Sequence, residues 1–180
     1  ALAELGHDVQ LIPLYTPILT DETSVASQRI FFGGINVYLQ QNLPLFRHLP
    51  RWLTSALDQP WLLKWASQRS VKIKGEELGA LTVSMLQGSA GNQRQEVERL
   101  VDWIADEKPD VVVFTNMLVA GCAAELKARV GCKLVVTLQG DDIFLQDLLP
   151  EFRTPALAEI RRIGNVVDQL NGHVQILGSS

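Results

Sequence analysis

At 180 residues and 47% hydrophobic content, the chain is long enough to bury one substantial core, and a single domain is the default. A net charge of −4 and a pI near 5.4 speak against general nucleic-acid binding. No apolar stretch approaches the roughly 20 residues that span a bilayer, and the start lacks the basic lead and long apolar run of a signal peptide.

In chain order, residues 1 to 6 (Ala-Leu-Ala-Glu-Leu-Gly) read as the last turns of an amphipathic helix closed by Gly6. His7 to Ile12 then reads as a strand, with Val9 to Leu14 expected in the sheet. A chain that opens inside a helix and lacks an initiator methionine is expected to be a fragment. Its first strand, and whatever follows Ser180, would then be missing.

Residues 15 to 91 form an expected insertion, mostly helical, after that strand. The stretch is far longer than an ordinary link between a strand and a helix. It holds Pro17, Gly33-Gly34, Pro44, Pro50, Pro60 and three of the four tryptophans, Trp52, Trp61 and Trp65. Short helices are expected near Pro50 to Leu57 and Trp61 to Gln68, with a helix or extended piece across Leu78 to Leu86. Gly33-Gly34-Ile35-Asn36 forms either a tight turn near a substrate or a plain structural turn. Charge is lopsided here: Arg47, Arg51, Lys64, Arg69, Lys72 and Lys74 face a single acid, Asp58, between positions 47 and 74. The rest of the chain holds ten basic and nineteen acidic residues. Such a patch can meet an anionic membrane surface or an anionic acceptor, or it can be a solvated face with tryptophan anchors.

Gly88-Ser89-Ala90-Gly91-Asn92 precedes a helix and could cradle a phosphate, or it is a loop with a helix cap. It lacks the P-loop lysine and the three-glycine dinucleotide pattern. From Asn92 or Gln93 a helix is expected, with Val97, Leu100, Val101, Ile104 and Ala105 on one stripe, ending at Pro109-Asp110. The strand Val111 to Thr115 follows, then a helix from about Leu118 to Val130 stopped by Gly131. Its inner face is Val119, Cys122, Ala123 and Leu126. The next strand is Lys133 to Leu138. A helix from Thr154 or Pro155 to about Gly164 precedes a last strand, Val174 to Leu177. Helix and strand alternate over short links, and both middle strands are apolar at consecutive positions. This implies an α/β fold, a doubly wound parallel sheet with helices on both faces.

Polar residues just past the carboxyl ends of parallel strands line the ligand crevice. Asn116 follows the first middle strand, and Gln139-Gly140-Asp141-Asp142 follows the second. Adjacent acids there can bind sugar hydroxyls, take a proton or hold a magnesium ion, or one of them caps the next helical turn. Cys122 and Cys132 lack metal-ligand spacing with any histidine and read as reduced, partly buried thiols of a cytoplasmic protein. His7, His48 and His173 stand in no catalytic arrangement.

The opening Ala-Leu-Ala-Glu-Leu-Gly-His-Asp-Val resembles the first helix and second strand of the amino-terminal domain of GT-B glycosyltransferases, especially glycosyltransferase family 4. Pro109-Asp110-Val111-Val112, the segment Val135 to Asp142 and the closing strand to Ser179 resemble that family too. The resemblance covers nearly all of the chain, weakly in the insertion. It implies a Rossmann-like domain and transfer of a sugar from a nucleotide-sugar donor to a glycan or lipid-linked acceptor. Transfer is usually with retention and needs no essential metal or other cofactor. Residues 1 to 180 would supply the acceptor side of the cleft, and the donor-binding carboxyl-terminal domain would be absent, leaving the fragment alone inactive. Carried over, Gly140 and Asp142 match the family's Thr-x-His-Gly-x-Asp pattern, Asp141 falls at its variable position, and Gln139 replaces its histidine. Asp142 and Gln139 are the implied catalytic pair, with Gly33, Gly34, Asn36, Asn116, Gly140 and Asp141 binding substrate. Polysaccharide biosynthesis at the inner face of the membrane is the implied setting. The alternative of a different class is a non-catalytic α/β module that holds a small ligand.

Overall fold

A computed structural model of the chain describes residues 2–14, 31, 37, 40–41, 75–139 and 141–171, giving backbone alone at positions 75 and 141–143. The chain divides into two compact units, Ala1–Ser70 and Val71–Ser180.

In the first unit, Ala3–Leu5 forms one 3-10 turn. Gly6 closes it with φ of 86° and donates its N–H to the Ala3 carbonyl. The glycine stop stands where the sequence puts it. The expected strand over Val9 to Leu14 is not formed, and that expectation is corrected. Leu14 makes an isolated parallel bridge to Phe31, whose N–H donates to the Pro13 carbonyl at 3.3 Å. Leu11 is also a bridge residue, and Pro13 between the two has no N–H to give a continuous ladder.

The second unit carries the regular structure. Helix α1 (Gly75–Leu86) leads through a 3-10 turn, Gly88–Ala90, into α2 (Arg94–Glu107). Strand β1 (Val111–Phe114) is followed by a 3-10 helix, Met117–Cys122, that runs on into α3 (Ala123–Arg129). Then come β2 (Lys133–Thr137), α4 (Asp141–Asp147), α5 (Pro150–Gly164) and β3 (Gln169–Asn171). The sheet has the order β1-β2-β3 and both pairings are parallel, Val111 beside Lys133 and Val135 beside Gln169.

Helix α2 forms as its stripe predicts. Val97, Leu100, Val101 and Ile104 are all buried. It ends at Lys108, which takes a left-handed φ of 50° and returns its N–H to the Ile104 carbonyl ahead of Pro109. The segment after β1 buries the expected Val119, Cys122, Ala123 and Leu126, but its first six residues wind as a 3-10 helix. Gly131, with φ of 71°, stops α3. Helix α5 begins earlier than expected, because Pro150 occupies the first helical turn and leaves Pro155 inside. Proline suits a first turn, where its missing N–H has no helical partner to lose. Either proline could have opened the helix; Pro150 does.

Leu134 and Val136 of β2 are fully buried, as is Phe114 of β1 to within 5% exposure. Burial of side chains this size stabilises by roughly 1.5–3 kcal/mol each. Helix α1 packs on α5 and on the 3-10 helix Met117–Cys122, which in turn touches β1 and β2. Cover on both faces is not found at β1. Val111 and Val113, on the face opposite Phe114, are 49% and 56% exposed. Strand β3 is polar and exposed, at Gln169–Asn171. The strand expected at Val174 to Leu177 lies outside the described residues, as do the helices expected near Pro50 and Trp61. The piece across Leu78 to Leu86 is helical, and it belongs to the second unit.

Candidate functional site

Because β1 and β2 are parallel and paired through Phe114 and Val136, their carboxyl ends leave the sheet at one edge. Asn116 and Leu138 stand two residues past that pair, so the polar segments after both strands start side by side. In open α/β sheets this edge is the ligand-binding one.

Asn116 has extended backbone, and its Oδ1 accepts the Val119 N–H at 3.2 Å. It therefore caps the 3-10 helix after β1, satisfying a donor that the helix start leaves open. Gln139 is exposed in the bend after β2. The backbone of Asp141 and Asp142 opens α4, a helix of seven residues. Carboxylates are favoured in a first turn by the helix dipole, so this position agrees with the capping alternative as well as with a strand-end site. Gly33, Gly34, Asn36 and Gly140 lie outside the described residues, as do Arg47, Arg51, Lys64, Arg69, Lys72 and Lys74.

The Gly88 to Asn92 loop is internally committed. The Ser89 N–H donates to Glu125 Oε1 at 3.1 Å, and the Asn92 N–H to Ser84 Oγ at 2.7 Å. The N–H groups of Ala90 and Gly91 donate to the Gln87 and Gly88 carbonyls. Four donors that could face a phosphate are thereby occupied, which favours the loop over the cradle. Ser84 Oγ also donates to the buried Gln93 Oε1 at 2.7 Å, and the Ser89 hydroxyl adds a bond to Glu125. Glu125 carries no local signal of this role, because its partner is 36 positions away.

Two further side chains do structural work that the sequence did not announce. Asp168 accepts from Lys127 Nζ at 2.6 Å and from the Leu134 N–H at 2.8 Å, with Lys133 Nζ at 3.4 Å. Its carboxyl is held at about 2, first by the Lys127 bond and then by the Leu134 N–H. Arg153 of α5 donates to carbonyls at the end of α4. A basic residue three positions after Pro150, close behind a short helix, was the available signal.

Both cysteines are free and buried. Burial pushes the Cys122 thiol up to about 12, with the neighbouring Glu125 charge adding to it, and burial also raises Cys132. Such thiols are poor nucleophiles while they stay buried. Among the described residues, no group of three or more His, Cys, Asp or Glu is placed to hold a metal ion. No helix among them is long and apolar enough to cross a membrane.

No family model matches the chain, and neither a curated protein nor a solved structure matches it.

Proposed function

We propose that the protein is a glycosyltransferase that moves a sugar from a nucleotide-sugar donor to a glycan or lipid-linked acceptor. This chain forms the acceptor side of the cleft on a Rossmann-like, doubly wound sheet. One observation carries the reading. Parallel pairing of β1 and β2 brings Asn116, Gln139 and the Asp141-Asp142 turn to the same edge. Antiparallel strands would have sent them to opposite ends.

An acceptor hydroxyl must lose its proton as its oxygen bonds to the anomeric carbon, while the bond from that carbon to the donor's phosphate oxygen breaks and the nucleotide leaves with the electron pair. A carboxylate within hydrogen-bond reach orients that hydroxyl and draws on its hydrogen. Asp142 takes this role. Gln139 offers an amide oxygen and an NH₂ group, so it orients a sugar oxygen but transfers no proton near neutral pH. A glycine at position 140 leaves open backbone conformations that other residues disfavour. The basic residues between Arg47 and Lys74 favour an acceptor that is anionic or lies at an anionic surface.

The test is turnover of the full-length gene product with a panel of nucleotide sugars. Asp142→Asn keeps the size and removes the charge, and should lower turnover about 10²-fold or more with folding unchanged. Asp141→Asn should do less. Wild-type turnover in Asp142→Asn would reduce the pair to a helix cap. Failure of the unsubstituted protein to consume any nucleotide sugar would favour the small-ligand-binding module.

A further inference from the structure

Helix α4 is too short to hold itself. Isolated helices below about 12–15 residues are marginal in water, and α4 has seven. Past its first turn it offers little to a core: Phe144 and Leu145 are half-buried, and Gln146 and Asp147 are exposed. Leu148, just beyond it, is buried. The last carbonyls of a helix have no partner within the helix, so something else must satisfy them.

Arg153 does so. Its Nε donates to the Leu145 carbonyl at 3.1 Å. Its Nη2 donates to the Leu148 carbonyl at 3.0 Å and to that of Gln146. One cation on the first turns of α5 thus meets two carbonyls in the closing turn of α4 and a third just past it, where a positive charge also complements the helix dipole. Helix α5 is itself tied to the body of the unit. It packs on α1, and Arg162 Nη2 donates to the Leu86 carbonyl at 2.9 Å.

We infer that Arg153 is a positioning residue: its guanidinium fork fixes α4 by its carboxyl end and so holds the Asp141-Asp142 turn in place at the end of β2. The consequence for sugar transfer rests on the function proposed above; the anchoring does not. A planar fork can donate along several fixed directions at once, whereas a lysine ammonium is a point donor on a flexible stem. Charge alone is therefore a poor substitute.

Hydrogen exchange on the full chain separates the two ideas, because it needs no substrate. In Arg153→Met, which keeps the apolar stem, amides in 144–148 should exchange faster by about tenfold or more, as expected for loss of charge-assisted bonds. Amides of α2 and β2 should keep their protection. Arg153→Lys, the milder change should Arg153→Met fail to fold, should recover only part of the loss. Unchanged exchange over 144–148, acceleration shared equally by α2 and β2, or full recovery with lysine would each overturn the clamp. If the clamp holds and Asp142→Asn turns over normally, the anchoring stands and the transfer role falls.

Discussion

Asp168 shows how much one exposed side chain can organise. It joins three positions that the sequence separates: Lys127 on α3, Lys133 at the start of β2, and its own place ahead of β3. Its N–H also donates to the Leu134 carbonyl at 2.9 Å, so it pairs with β2 through backbone and side chain together. The sign of its pH effect follows from a value of about 2 against the ordinary 3.8. Its stabilisation is complete above the ordinary value and is lost as pH falls from about 4 toward 2. Unfolding followed from pH 6 to pH 2 should show Asp168→Asn less stable than the unsubstituted chain at pH 6, with the gap closing by pH 2. A gap independent of pH would mean that the charge is not what Asp168 contributes. None of this was legible beforehand. An acid between Val167 and Gln169 looks like any surface residue, and its lysines lie 41 and 35 positions away.

At the scale of elements, one close approach is the crossing of the α1 carboxyl end with the 3-10 helix Met117–Cys122. A Cβ on Gly121 would collide with the Met85 carbonyl oxygen, and one on Gly88, at φ of 61°, with the Gly121 carbonyl oxygen. Two backbones meet here with no side chain between them. Gly121→Ala should therefore cost about 1–3 kcal/mol or more, the range for an overfilled core. Gly131 makes the control. It has a left-handed φ, of 71°, which Gly121 lacks, and nothing lies within 4 Å of its added Cβ. Gly131→Ala should cost only the roughly 1–2 kcal/mol of left-handed backbone. Denaturant melts of the two variants check this; little or no loss in Gly121→Ala would mean that the crossing relaxes freely. The inner faces of α2 and α3 were readable because Val97, Leu100, Val101 and Ile104, and then Val119, Cys122 and Leu126, repeat at helical spacing. The 3-10 winding before α3 was not, because close approach of a distant backbone leaves no mark on local periodicity. Strand β3 escaped for a different reason. Gln169, Leu170 and Asn171 are all exposed, and a polar edge strand carries no hydrophobic signal.

Over the whole molecule, the parallel sheet was legible from the consecutive apolar residues of β1 and β2, and so was the edge at which polar residues gather. The limits of the second unit were not. Its boundary at Ser70 and Val71 falls inside the stretch read as one insertion, and α1, on the far side of that boundary, packs on α5. Of the proposed site, its position at the end of β2 and the acids in it were visible in the sequence. The arginine that secures it left only a local trace, a basic residue three positions after Pro150, and the carbonyls it meets left none.

Cys122 turns this packing into a clock. At pH 8 a thiol held at about 12 is ionised in only about one molecule in 10⁴, and only the thiolate attacks. A colorimetric disulfide reagent must therefore wait for the protein to open, and its rate on Cys122 counts openings of the layer between α1 and the sheet. Cys132, also buried but beside exposed Lys133 at the head of β2, should be modified first and depend less steeply on urea. Single-cysteine variants, Cys122→Ala and Cys132→Ala, assign each rate. Modification of Cys122 at the speed of a free thiol would contradict its burial. Otherwise the ratio of the two rates measures how far the strand frays before the body of the unit lets go.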